Sequence, residues 1–289
     1  MSQKERVWTV VSMLEWATDY FVEKNVQDPR LSIEWLLSEV LQVKRLDLYL
    51  QFDRPLTSNE LNELRSLIKR RALNEPLQHI TGSTLFLDAT IHVGPDVLIP
   101  RIETEQLVDL LLEKTKPIAE QSVRLIDLGT GSGCIPISIK QKHPNWFCTG
   151  IDISESALSV AKQNAIHNQT EIEFIHQDIE QFIENSDRQW DVVISNPPYI
   201  TESEMSEMHE QVLNYEPRLA LFHHDPLNLY EQIIRFAASS DSQLFLECND
   251  KTAKQVAAIT GKYFMDFSLQ KDLDRNDRFV IASNSLTHP

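Results

Sequence analysis

The chain has 289 residues, a length that favours two domains over one, and 42% of them are hydrophobic, enough for sizeable cores. Its formal charge of −16 argues against a protein that grips long nucleic acid by its phosphates and suits a small-molecule ligand or a basic protein partner. No run approaches the ~20 apolar residues that span a bilayer, and residues 1–6 lead into a polar-faced helix rather than a signal peptide, so a cytoplasmic protein with no membrane partner is expected.

Residues 1–78 read as a helical bundle. Val7, Val10, Val11, Leu14, Ala17 and Phe21 fall at helical spacing. Asp28-Pro29 reads as an N-cap followed by proline in the first turn, ahead of Ile33, Leu36, Leu37, Val40 and Leu41. Thr57 and Glu60 match a capping box in front of Leu61, Leu64, Leu67 and Ile68. With no ligand cluster, this domain is expected to dock a substrate. Residues 79–98 hold two short β-prone runs among glycines, a β-hairpin linker. Residues 99–289 open with a helix carrying Leu107, Leu110 and Leu111, then alternate strand and helix. Strands are expected at Val123–Ile126, Phe147–Ile151, Ile172–Ile175, Val192–Ile194 and Leu244–Leu246. This is an α/β pattern, a mostly parallel sheet covered on both faces. Two last strands, near 263–269 and 278–283, have a short connection that favours an antiparallel pair at the sheet edge. Cys134, Cys148 and Cys248 form no metal or redox spacing and read as core residues.

Three of the seven glycines stand together in Asp127-Leu-Gly129-Thr130-Gly131-Ser132-Gly133, between a strand and a helix. Such a loop lets a nucleotide-type cofactor approach the backbone at the carboxyl end of the first strand. The spacing departs from the dinucleotide G-x-G-x-x-G, since Cys134 follows. Asp127 would repel a pyrophosphate and suits the cationic amino and sulfonium end of S-adenosyl-L-methionine (AdoMet). Asp152 ends the second strand, where an acid accepts ribose hydroxyls, and Asp178 follows the third, where it can meet the adenine edge. The loop alone also admits a dinucleotide or a plain structural turn.

The fourth strand runs into Asn196-Pro197-Pro198-Tyr199. The prolines fix φ and remove two N–H groups, so a carbonyl there can face the cleft. The Asn196 oxygen and the Pro197 carbonyl together can accept both hydrogens of one –NH2 group, with Tyr199 flat against a planar substrate. Two acceptors stabilise positive charge developing on an amide nitrogen during methyl transfer and need no strong base. An exocyclic amine of a nucleobase fits the same loop, with Tyr199 stacked on the base; the negative charge and the lack of a basic stripe count against it. A third reading is a binding module that has lost turnover.

At Pro100-Arg101-Ile-Glu103-Thr-Glu105, the glycine loop, Asn196-Pro-Pro-Tyr-Ile200 and Glu216-Pro-Arg-Leu-Ala-Leu-Phe222, the chain resembles the HemK/PrmC family. These are protein-(glutamine-N5) methyltransferases acting on the Gly-Gly-Gln glutamine of class-1 peptide chain release factors. The resemblance covers most of the chain. It implies a seven-stranded Rossmann-like class I methyltransferase sheet, with AdoMet over the glycine loop and the glutamine amide at Asn196, Pro197, Pro198 and Tyr199. Release factors are the implied partners, with no direct nucleic acid binding. Two departures stand out. His223-His224 and Asp225-Pro226 replace a glycine-rich run, one residue shorter, and Ile179 stands where an aromatic often packs on adenine, which places Ile179 in the cofactor set. Arg101 and Glu103 either begin a solvent-facing helix or help to close the cleft on substrate. No further ligand joins His223, His224 and Asp225, so no metal is expected.

Overall fold

The computed structural model describes residues 7–284, so the stretch 1–6 read above for a targeting signal lies outside the described residues. The chain divides into two compact units, Met1–Gly82 and Ser83–Pro289. Among the described residues no helix is long and apolar enough to cross a membrane.

The first unit is helical: α1 (Val10–Glu23), α2 (Pro29–Leu41), α3 (Ser58–Arg71) and α4 (Leu77–Thr81), with a 3-10 turn over Arg45–Leu50. Its core is the apolar stripe of the sequence, with Leu14, Phe21, Ile33, Leu37 and Leu64 fully buried. The capping box of α3 forms: Glu60 N donates to Thr57 Oγ1 and Thr57 N to Glu60 Oε2. A second box, Thr9 with Ser12, begins α1 after Val7, which stands exposed. Asp28 sits in the left-handed region at φ 48° and makes no cap bond, so Pro29 alone marks the start of α2.

The second unit begins with the hairpin β1 (Ser83–Phe86) and β2 (Ala89–His92), paired antiparallel. The segment read as a linker packs Phe86, Ala89 and Ile91 into the core of this unit. After α5 (Ile102–Lys114) come β3 (Arg124–Leu128), α6 (Cys134–Lys142), β4 (Phe147–Asp152), α7 (Glu155–His167), β5 (Glu173–His176), α8 (Ile179–Asn185) and β6 (Val192–Ser195). The short helices α9 (Glu210–Tyr215) and α10 (Arg218–Leu221) precede α11 (Pro226–Ser239), β7 (Gln243–Glu247), α12 (Ala253–Thr260), β8 (Asp266–Lys271) and β9 (Asp277–Ser283).

The seven strands stand in the order β5-β4-β3-β6-β7-β9-β8, parallel from β5 to β7, with β9 antiparallel to both its neighbours and β8 at the edge. Successive residues of β3 enter different cores: Leu125 joins Phe86, Leu107, Ile137 and Phe245, while Ile126 joins Val193, Leu229, Tyr230 and Leu246. That alternation is the two-fold pleat of a sheet covered on both faces. The chain runs outward from β3 to β5, then returns to the other side of β3 as β6. The reversal opens a crevice at the carboxyl ends of β3 and β6, where open α/β sheets bind ligands.

Candidate active site

The glycine loop leaves β3 in that crevice. Gly129, Gly131 and Gly133 all have positive φ (81°, 52° and 77°), a region that excludes most side chains. A Cβ on Gly133 would stand 3.1 Å from Ala161, and one on Gly131 would meet nothing within 4 Å. The loop is sewn to its surroundings by backbone and side chains. Gly129 N and Thr130 N donate to the Ile151 carbonyl at 3.0 and 2.8 Å. The buried Asn164 amide donates to the carbonyls of Ser132 and His92 and accepts from His92 N, binding the loop to the hairpin. Thr130 lies directly over Gly150, where any Cβ would come within 2.7 Å of its hydroxyl.

Asp152 at the end of β4 accepts from Gly131 N at 2.8 Å and from Ser154 N at 2.9 Å. Burial raises its pKa, and these two N–H groups oppose the rise. Asp178 caps α8, accepting from Gln181 N at 3.1 Å. Asp127 is fully buried, and neither oxygen has a hydrogen-bond partner among the described residues. Burial pushes its carboxyl up to about 7; the nearby Thr130 hydroxyl, outside bonding geometry, pulls the other way, and the Asp152 charge adds to the rise.

A cavity of about 300 Å³ lies over the loop, lined by Gly129, Gly131, Asp152, Asp178, Ile179, Asn196 and Pro198 among others. Asp127, Thr130, Ser132 and Gly133 are buried and are not among the lining residues. Ile179 stands close to Gly129, 3.5 Å from where a Cβ would be. The cavity also takes in Pro95–Leu98, Phe222, His223 and Leu229, which the sequence reading did not assign. A second cavity, of about 280 Å³, is lined by Arg101, Asn196, Pro197, Tyr199, His209 and Val212 among others. Leu98, Asn196 and Ala220 line both. The two prolines divide the cavities between them, Pro198 on the first and Pro197 on the second.

Behind the loop, Asn196 Nδ2 donates to Thr104 Oγ1 at 3.0 Å, and the Thr104 hydroxyl donates to Glu247 Oε2 at 2.7 Å. Tyr199 OH reaches Glu247 Oε1 at 3.5 Å. Burial pushes the Glu247 carboxyl up to about 7; the Thr104 hydroxyl bond and the Arg278 charge resist, and the Glu103 charge adds to the rise. Arg101 pairs with the buried Glu216 at 2.5 Å, and the other Glu216 oxygen accepts from Ile99 N. So the 100–105 and 216–222 motifs, read separately, are tied by an ion pair. Glu103 lines neither cavity. Thr104 sat unassigned inside a recognised motif; an acid ending the apolar strand Leu244–Leu246 was the only hint of Glu247.

The three cysteines are buried and free, and burial lifts Cys134 and Cys148 to about 12, so none is a ready nucleophile. His223 Nδ1 accepts from Asp225 N. Among the described residues no group of His, Cys, Asp or Glu is placed to hold a metal.

Residues 12–82 match the PrmC N-terminal domain and residues 100–220 the Methyltransferase small domain. The chain is 36% identical over 285 residues to a release factor glutamine methyltransferase of Chlorobaculum tepidum, covering 95% of this chain and 97% of that one. It is 36% identical over 268 residues to the protein of the same name from Flavobacterium psychrophilum, covering 90% and 92%. Among solved structures, the hMettl16 catalytic domain superposes with a TM-score of 0.54 at 14% identity, over 74% of this chain and 83% of that one, a likeness of fold. The sheet is that of a class I methyltransferase, and with such identity along nearly the whole of both chains the protein belongs to the release factor glutamine methyltransferase family of enzymes.

Proposed function

We propose that this enzyme transfers the methyl group of AdoMet to the side-chain nitrogen (N5) of the glutamine in the Gly-Gly-Gln motif of class-1 release factors. The observation that carries the reading is that Asn196 lines two cavities, one over the glycine loop and one along Pro197 and Tyr199. The residues fit the cofactor: the unpartnered buried Asp127 matches a cationic amino group, and Asp152 at the rim matches ribose hydroxyls. Asp178 and Ile179 flank the place for adenine, with Asp178 keeping its capping bond.

AdoMet, when bound, supplies an electrophilic methyl group on a sulfonium. The chain's part is to orient the acceptor. With its NH2 end committed to Thr104, Asn196 keeps its oxygen for a substrate N–H, and the Pro197 carbonyl takes the second. The amide lone pair is thereby aimed, and charge arising on nitrogen meets two acceptors. Transfer would leave the bonding pair of the broken methyl–sulfur bond on sulfur and one extra proton on nitrogen, which so acidic a nitrogen gives up to water, so no strong base is needed. Residues 1–78 dock the protein substrate in this reading, which places the enzyme in the cytoplasm with release factors. The test is incubation with AdoMet and a class-1 release factor, followed by mass spectrometry of the Gly-Gly-Gln peptide. One added methyl on glutamine is expected; label in RNA or DNA with an unmodified peptide would overturn the substrate.

A further inference from the structure

Glu247 ends β7 one strand away from the Asn-Pro-Pro-Tyr loop and is 1% exposed. A carboxylate that deep requires donors, and it has two. The Thr104 hydroxyl, from the first turns of α5, gives its only proton to Oε2, and Tyr199 OH reaches Oε1. Having spent that proton, Thr104 Oγ1 can only accept at Asn196. It accepts from Nδ2 at 3.0 Å. Above about pH 7, where Glu247 is ionised, the direction of the chain is therefore set at its buried end.

An asparagine amide is nearly symmetric in shape, and either end fits the same space. What separates the two orientations here is the partner. A flipped Asn196 would bring its oxygen against an oxygen that has no proton left, or would draw the proton away from Glu247 and strip a buried carboxylate of its closest donor. A flipped Asn196 would also offer N–H to the hydrogens of a substrate amide. We propose that Glu247 is a positioning residue, acting through Thr104 to keep the Asn196 oxygen on the substrate side and acting directly on Tyr199 to hold its ring. The inference rests on the methyl-transfer reading above.

The support behind Glu247 fits that role. Tyr230 OH donates to the Glu247 carbonyl at 3.0 Å. Arg278, paired with Asp272, donates to the Cys248 carbonyl at 3.1 Å. The carboxylate thus stands on backbone fixed from both sides.

The test uses the full-length protein and three variants. Thr104→Val keeps shape and removes the hydroxyl, Thr104→Ser restores it, and Glu247→Gln keeps volume but can turn its NH2 toward Thr104. Methylation of a release factor gives kcat and KM, calorimetry gives the AdoMet Kd, and 15N NMR follows the Asn196 side-chain amide. Thr104→Val is expected to lower kcat about tenfold or more with KM and AdoMet Kd within about twofold, the pattern of an interaction made in the transition state. Thr104→Ser should return to within about threefold of wild type, and Glu247→Gln should lose at least about threefold. The Asn196 amide protons should be protected from exchange in wild type and unprotected in Thr104→Val. Wild-type kcat in Thr104→Val, or in Glu247→Gln should the valine variant not fold, overturns the proposal. So does a kcat loss matched by an equal loss of AdoMet affinity, which would mark a merely structural role. A wild-type enzyme that leaves the release factor unmodified overturns the functional reading instead, and the Asn196 amide signal then decides the hydrogen-bond chain by itself.

Discussion

Asp127 holds two carboxylate oxygens in the interior with no donor on either among the described residues, a state that costs a folded chain stability. Asp127→Asn should therefore stabilise the ligand-free protein by about 1 kcal/mol at pH 8 while weakening AdoMet binding at least about tenfold. Thermal denaturation and calorimetry check the two halves. The pH dependence has a definite sign. The carboxyl sits at about 7 in the folded chain against an ordinary 3.8, so the folded state holds the proton more tightly. Its contribution to ligand-free stability is complete below about pH 4 and is lost as pH rises to 7. Affinity for a cationic ligand group moves the other way, rising over the same interval as the carboxylate forms. At Asn196, alanine should leave the fold and most AdoMet affinity in place and slow glutamine methylation by about 10²-fold or more, measured by mass spectrometry of the Gly-Gly-Gln peptide. Asp152→Ala should raise the AdoMet Kd at least about tenfold by calorimetry. Part of that loss comes from the loop itself, because Asp152 also holds the Gly131 and Ser154 N–H groups.

The glycine loop and the strand beneath it form one packed element. Gly131→Ala meets no neighbour, so its cost is the backbone strain of a positive φ, about 1–2 kcal/mol. Gly150→Ala meets the Thr130 side chain at 2.7 Å and should cost more, about 2 kcal/mol or above by urea denaturation, with a loss of AdoMet affinity as the loop is pushed from below. Neither Gly150 nor Asn164 could be picked out in advance. Their value lies in what they touch across the fold, and a lone glycine in a strand or a lone asparagine in a helix carries no local mark. The central strands were legible because an apolar run bounded by polar turns has few alternatives. The expected Val192–Ile194 and Leu244–Leu246 lie inside β6 and β7. The edge strand was less so: β8 begins at Asp266, several residues past the expected 263, because Phe264 is buried in the turn after α12 and the strand itself is largely exposed. The hairpin looked like a linker because its runs are short; only its burial against α6 and α7 makes it part of the second unit. Motif residues such as Asn196 and Asp152 stand out by type and spacing, whereas Thr104, Glu216 and Glu247 are marked only by contacts between distant segments.

Each unit has a core of its own. A chain beginning at Ser83 should therefore fold and bind AdoMet with near wild-type affinity. It should methylate a full-length release factor at least about tenfold more slowly while acting normally on a short Gly-Gly-Gln peptide. Equal rates on the whole factor would remove the docking role from the helical unit. That Leu98, Asn196 and Ala220 line both cavities has a consequence for inhibition. A single compound that carries an adenosine half and, where the methyl would lie, a short arm ending in a carboxamide should reach both cavities at once. Tethering turns the second contact into an intramolecular one, so such a hybrid should bind about 10²–10⁴ times more tightly than either half, and shortening the arm until it no longer passes Asn196 should abolish the gain.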